Sequence, residues 1–203
     1  MTFIVFEGID GSGKSTQCQL LKENLEKKGK KVFLTREPGG TKEADYIREI
    51  IKNPELHWER DAEVLLFIAS RIENLRKNIL PALKQGKIVI CDRFIDSTLA
   101  YQHYGFGYDA GKINALHKEF NLVLKPDLTI LLDLDPIEGL KRDAQRNKLS
   151  AEVSSRFERQ NIDFHKKVRA GFLELSKDKS KNYLVLDATK NPQEISAEII
   201  NKL

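Results

Sequence analysis

The densest chemistry in the sequence is a nine-residue stretch near the N-terminus, Gly8-Ile9-Asp10-Gly11-Ser12-Gly13-Lys14-Ser15-Thr16. Its spacing fits G-x-x-x-x-G-K-[ST], in which glycines let the backbone curl and aim its N–H groups at phosphate oxygens. Gly8, Gly11, Ser12 and Gly13 would form that curl, and a helix starting at Thr16 would add free N–H donors and positive potential. Lys14 brings a mobile charge for the β- and γ-phosphates, and the Ser15 hydroxyl can ligate Mg2+. The motif thus points to a nucleoside triphosphate, without naming a reaction. A second candidate is Ile88-Val89-Ile90-Cys91-Asp92, followed directly by Arg93. An apolar strand ending in aspartate sets a carboxylate at the sheet edge where ligands of open α/β sheets bind. Asp92 can hold Mg2+ through water, and Arg93 can reach phosphates passing from donor to acceptor. Asp133 ends a similar run, Ile130-Leu131-Leu132-Asp133, and competes for the metal role. The adjacent Arg93 favours Asp92, while either aspartate could instead cap a following helix.

These residues need a frame. Five short apolar runs, Phe3–Phe6, Lys31–Leu34, Lys87–Cys91, Leu128–Asp133 and Tyr183–Leu186, alternate with helical periodicity. Near-continuous apolar strands suit a parallel sheet covered on both faces. The expectation is one doubly wound α/β domain over residues 1–203, with five parallel strands, helices on both faces and a short lid. Thr16–Gly29 reads as a helix burying Cys18, Leu21 and Leu25, with Gly29 closing its C-terminus. Glu59–Gln85 reads as a long helical stretch bent or broken by Pro81. Arg142–Arg156 is polar and basic, and about 142–155 is the candidate lid. After it a helix is expected with Phe157, Phe164, Val168, Phe172 and Leu175 on one face. Tyr104-Gly105-Phe106-Gly107-Tyr108 reads as a loop over the substrate side, its aromatics either lining the pocket or packing.

Composition narrows the class. The chain has 203 residues, 40% hydrophobic and 32% charged, enough apolar material for a core. No apolar run approaches the roughly 18 residues of a membrane span. The N-terminus lacks a basic leader and runs straight into the motif, which a cleaved signal peptide would take with it, so none is expected. Two lone cysteines, Cys18 and Cys91, read as buried thiols of a reducing compartment, so the cytoplasm is expected. The net charge of +4 suits nucleic acid or phosphorylated small molecules. No helix carries a dense basic face, which disfavours a DNA-binding ATPase. Asn147-Lys148-Leu149-Ser150 falls short of the guanine signature N-K-x-D, which disfavours a GTP switch. His57, His103, His117 and His165 lack metal spacing and read as surface or helix-packing residues, and Trp58 as packing in a connection.

Taken together, the motifs resemble bacterial thymidylate kinases along nearly the whole chain. The resemblance rests on Phe6–Thr16, Thr35-Arg36-Glu37-Pro38-Gly39-Gly40-Thr41, Leu65-Leu66-Phe67-Ile68-Ala69-Ser70-Arg71, Asp92-Arg93-Phe94-Ile95-Asp96-Ser97-Thr98-Leu99-Ala100-Tyr101-Gln102, Pro126-Asp127-Leu128-Thr129 and Gly139-Leu140-Lys141-Arg142. It implies phosphorylation of dTMP by ATP with Mg2+, with ATP held by Gly8, Gly11, Ser12, Gly13, Lys14, Ser15 and Thr16. It implies that Phe67 stacks on thymine; spacing agrees, since Phe67 and Arg71 share a helix face. Arg48 and Arg71 would approach the monophosphate or base edge. Thr98 and Gln102 would hydrogen-bond the base, supported by Ser97. Tyr101 would lie where a 2′-hydroxyl would otherwise sit, and Asp10 would accept from the 3′-hydroxyl. Glu37 and Pro38 would line the acceptor site, Glu37 assisting the metal and Pro38 packing on base or sugar.

Relatives that carry an arginine after the loop aspartate differ here, where Gly11 stands. The missing charge is assigned to the lid, Arg146 on the transferring phosphoryl and Arg142 against adenine. Ser155 stands where many relatives have an acidic residue, and Arg156 reads as structural. The attacking phosphate oxygen is already anionic at neutral pH, so catalysis must come from alignment and charge neutralisation by Lys14, Arg93 and a lid arginine. A kinase of deoxynucleosides is the rival within enzymes. The resemblance also suggests a homodimer, with helices at 59–80 as a candidate interface.

Overall fold

A computed structural model of the chain describes residues 2–150 and 155–203. The five apolar runs become β1 (Thr2–Glu7), β2 (Val32–Arg36), β3 (Ile88–Asp92), β4 (Leu128–Asp133) and β5 (Tyr183–Asp187). They form one all-parallel sheet in the order β2-β3-β1-β4-β5. The period of two along β1 sends Ile4 and Phe6 into one core layer and Phe3 and Val5 into the other. Both faces are buried, as their unbroken apolar character requires. Register sets Phe6 and Arg36 opposite Asp92, so the C-terminal ends of β1, β2 and β3 share one edge. The chain leaves β1 toward β2 and leaves β4 toward β5. This divergence opens a crevice at that edge.

The helices are α1 (Lys14–Lys27), α2 (Lys42–Lys52), α3 (Arg60–Asn74), α4 (Leu80–Lys84), α5 (Ile95–Thr98), α6 (Ala110–Glu119), α7 (Pro136–Ser150), α8 (Ile162–Leu175) and α9 (Pro192–Lys202). Helix α1 begins two residues before the expected Thr16, directly after Gly13, and buries Cys18, Leu21 and Leu25. Gly29 closes it at φ 74, its N–H donating to Glu26 O while Lys30 N–H reaches Leu25 O. Pro81 does not stop the long helical stretch. A π-helical turn over Leu75–Ile79 joins α3 to α4, widening the helix just before the residue that lacks an N–H. Among the described residues, no helix is long and apolar enough to cross a membrane.

Three expectations are corrected. Phe157 lies outside the later helix, because the Asn161 side chain caps α8 by accepting from Phe164 N. It still packs with Tyr101 and Phe67, at ring distances of 5.9 and 6.1 Å. The first part of the expected lid segment is helix, since α7 runs through Ser150 and carries both Arg142 and Arg146; residues 151–154 of that expectation lie outside the described residues. In the aromatic segment at 104–108 only Tyr104 and Gly105 are helical, ending a second π-helical stretch, Leu99–Gly105, while 106–108 is loop; of the two roles open to its aromatics, packing is the one seen, since none of Tyr104, Phe106 and Tyr108 lines the main cleft. Phe106 packs on Phe164 at 4.4 Å, under the Arg60 guanidinium.

Candidate active site

At the mouth of the crevice lies a cleft of about 940 Å³, lined by the glycine-rich loop, β2, α3, α5, α7 and the start of α9. Gly13 takes φ 87, which only glycine adopts readily, and its carbonyl accepts the first helical bond of α1 from Gln17. Gly11, at φ 73, faces the first turn of α7 so closely that a Cβ there would sit 2.2 Å from the Gly139 carbonyl oxygen. That contact excludes any side chain, so a cation cannot be supplied from position 11. The arginines of α7 line the cleft instead.

Lys14 is buried and folds back on its own loop, donating to Ile9 O at 2.7 Å and Ser12 Oγ at 3.3 Å. Burial, reinforced by Arg93, lowers it to about 8. Ser15 Oγ donates to Asp92 Oδ2 at 2.6 Å. Asp133, the competing carboxylate, is forked by Arg169 of α8 at 2.7 and 2.9 Å. Of the two carboxylates, Asp92 is the one that touches the loop, through Ser15, while Asp133 is held by α8. Ser15 and Asp92 offer hard oxygen donors, while among the described residues no cluster of three or more His, Cys, Asp or Glu could cage a metal. Such a sparse donor set fits Mg2+, which keeps several waters and shares its shell with substrate phosphates.

Arg93 sits at the centre with φ 72, its backbone N–H bound to Phe6 O at 2.9 Å. Its guanidinium donates to Gly8 O at 2.8 Å, Ser97 Oγ at 3.1 Å, Asp10 Oδ1 at 2.6 Å and Tyr101 Oη at 3.3 Å. Tyr101 donates in turn to Asp10 Oδ2 at 2.7 Å. Burial alone would raise Asp10, but Arg93 and Lys14 hold it well below the usual carboxylate range. Behind Ser97 lies Glu7, fully buried, which accepts from the Ser97 hydroxyl and from the Phe94 and Ser97 N–H groups. Burial, with Asp96 nearby, pushes Glu7 up to about 7.

Phe67 and Arg71 line the cleft from one face of α3, as their spacing predicts. Arg71 is almost fully buried and tightly held. It donates to Glu37 Oε2 at 2.6 Å, Thr98 Oγ1 at 3.1 Å and Phe94 O at 3.0 Å, and meets His117 Nε2 at 2.5 Å. His117 Nδ1 lies 2.8 Å from Ile113 O, an oxygen that can only accept, so the proton is on Nδ1 and Nε2 is the acceptor. Burial and the Arg71 charge lower His117 to about 4, keeping it neutral. Glu37 also takes Asn74 at 3.3 Å; Arg71 and Asn74, rather than the Ser15–Asp92 pair, engage its carboxylate. Pro38 follows a cis peptide bond, and its carbonyl accepts from Arg48 at 3.0 Å. Thr98, Ser97, Tyr101 and Gln102 all line the cleft.

Of the two α7 arginines, Arg142 donates to Glu138 at 3.1 Å and Ala188 O at 3.1 Å, beside the start of α9. Arg146 pairs with buried Asp143 at 2.6 Å and approaches Glu158 at 3.9 Å. Arg156 is indeed structural, binding Ile51 O at 2.6 Å and the Glu63 carboxylate. Sequence reasoning misses Glu7, Asn74, His117, Asp143 and Glu63. Glu7 ends an apolar strand just as Asp92 does, a signal that could have found it. Nothing local marks His117 as a partner of Arg71.

The family model described as Thymidylate kinase matches residues 6–199. A thymidylate kinase of Pelotomaculum thermopropionicum is 44% identical over 200 residues, spanning 98% of this chain and 90% of the relative. One of Wolbachia pipientis wMel is 44% identical over 205 residues, covering 99% of each. Among solved structures, thymidylate kinase from Ehrlichia chaffeensis superposes with a TM-score of 0.79 at 36% identity, over 99% of this chain and 97% of that one.

Proposed function

The chain belongs to the thymidylate kinase family, and on that premise we propose that its cleft transfers the γ-phosphoryl group of ATP to dTMP, giving ADP and dTDP for dTTP synthesis. It is an ATP-dependent nucleoside monophosphate kinase. One observation carries the reading: Arg93 stands between a phosphate cradle and a Phe67–Arg71 pocket that open into the same cleft. A cation in that position can touch both polyanions at once.

In this reading Lys14 leaves its loop contacts for the β- and γ-phosphates, and the loop N–H groups bind the rest of the chain of phosphates. Ser15 and Asp92 would hold Mg2+, which when bound screens phosphate charge. Phe67 stacks on the base, with Arg48, Pro38 and Glu37 beside the acceptor. Thr98 and Gln102 read the base edge, and Asp10 and Tyr101 face the sugar. Arg93 and Arg146 neutralise the transferring group, and Arg142 lies by the donor base. The acceptor phosphate is its own nucleophile, so no side chain has to remove a proton. Residues 1–203 act as one domain, and closure of a lid over about 142–155 excludes water and so suppresses ATP hydrolysis.

Two further parts of the reading concern context. Exposed apolar side chains on α2 and α3, Tyr46, Ile50 and Leu65, support a homodimer; a mass of 23.2 kDa by light scattering would refute it. The free, buried thiols of Cys18 and Cys91 support a cytoplasmic setting.

The test of the reaction is ADP release with ATP, Mg2+ and a panel of acceptors: thymidine and the monophosphates of thymidine, deoxyuridine, uridine, cytidine, adenosine and guanosine. Strongest turnover with dTMP is expected. A different best acceptor would leave the phosphate cradle standing and overturn the pocket.

A further inference from the structure

Gln102 lines the cleft, yet its side chain is not free to choose which end faces inward. Its Nε2 donates to Glu63 Oε1 at 2.9 Å, and its Oε1 has no partner among the described residues. Glu63 is fully buried and sits behind Gln102, one turn before Phe67 on the same face of α3. Its other oxygen is taken by Arg156, with Arg60 at 3.6 Å. A carboxylate between two guanidiniums only accepts hydrogen bonds. The amide N–H₂ must therefore point at Glu63, and the carbonyl oxygen, buried and without a partner among the described residues, is the end left for a ligand. This fixes the O/N assignment by chemistry, where an isolated amide would leave it open.

We propose that Glu63 sets base selectivity by holding the Gln102 amide as an acceptor toward the cleft. The inference rests on dTMP being the acceptor substrate. Thymine offers an acceptor and a donor side by side, O4 and N3–H. Donor-only Arg71 and the Gln102 carbonyl complement that edge. Cytosine presents the reverse, N4–H₂ and a bare N3, and would leave the buried carbonyl unpaired against a lone pair. Glu63 is thus a positioning residue that never meets the base itself.

The test is Glu63→Gln. Arg156 would claim the new amide's oxygen, its N–H₂ would face Gln102, and the Gln102 amide would turn to send its nitrogen into the cleft. The probes are dTMP and 5-methyl-dCMP, which share a shape and differ in that edge. The ratio of their kcat/KM values should fall by about 100-fold or more in Glu63→Gln, with KM for ATP unchanged. Glu63→Asp keeps an acceptor-only partner and should hold the ratio within about threefold of the unaltered protein, even if slower. An unchanged ratio in folded Glu63→Gln overturns the proposal. Should that variant fail to fold, Gln102→Leu decides: the preference for dTMP must shrink, and its survival overturns the proposal. Failure of the unaltered protein to turn over dTMP would instead defeat the functional reading itself, and this inference with it.

Discussion

Replacing Arg93 with alanine separates catalysis from folding. The guanidinium makes hydrogen bonds to four protein acceptors, and its side chain is 15% exposed. Its loss leaves Asp10 with the Tyr101 hydroxyl and the Lys14 charge, and the Asp10 side chain is 29% exposed, so water can replace part of what is removed. The stability cost should be about 1–3 kcal/mol, the desolvation penalty of partly unpaired groups. Against a typical total of roughly 5–15 kcal/mol, the fold survives. For a chain of this size, Tm should fall by roughly 2–12 °C. Catalysis loses more. Two charge-assisted contacts to phosphate oxygens at about 1.5–3 kcal/mol each amount to roughly 3–6 kcal/mol. At about 1.36 kcal/mol per tenfold, turnover should drop by roughly 10²–10⁴. The assay is kcat with ATP and dTMP both saturating, beside a thermal melt. Arg93→Lys should recover only part of the rate, because an ammonium lacks the fork that spans two partners. A folded Arg93→Ala with kcat within about threefold of the unaltered protein would refute the role of this cation in charge neutralisation.

Two more perturbations probe the site from either side. His117→Leu leaves a buried Arg71 N–H without its acceptor; KM for dTMP should rise about tenfold with KM for ATP unmoved, and His117→Asn should restore much of it. Because folding lowers His117 from 6.5 to about 4, its contribution to stability is complete above pH 6.5 and is lost as pH falls toward 4. Melts of the two proteins between pH 7 and pH 4.5 should therefore converge as the pH drops, and parallel curves would show that His117 titrates normally. Asp92→Asn keeps the bond from Ser15 but removes the charge at the metal position. The Mg2+ concentration for half-maximal rate should rise by about tenfold or more, and an unchanged requirement would move the metal role elsewhere.

The phosphate cradle is legible in the amino-acid sequence alone. Gly8 to Thr16 are contiguous, and their function is carried by the backbone of one loop between a strand and a helix, so local sequence contains all its parts. The strands are equally legible, because burial on both faces leaves the inner strands β1, β3 and β4 as unbroken apolar runs. Helix ends are less so: Asn161 caps α8 four residues beyond Phe157, and α7 continues to Ser150 through a segment whose polarity suggests a loop. Which of Asp92 and Asp133 meets the loop is visible only in the tertiary structure, where Ser15 takes Asp92 and Arg169 takes Asp133.

The acceptor pocket is decided by tertiary structure alone in its inner layer. Phe67 and Arg71 can be matched to a family pattern, but what holds them cannot. His117 reaches Arg71 across 46 residues of sequence, and Glu63 reaches Gln102 across 39. These pairs have no spacing rule, because α3, α6 and the Leu99–Gly105 stretch meet only when the two faces of the sheet are packed. Sequence by itself determines the sheet, the loop and the phosphate chemistry. Packing determines which buried polar groups face each other, since a donor or acceptor withdrawn from water must find its partner wherever the fold brings one.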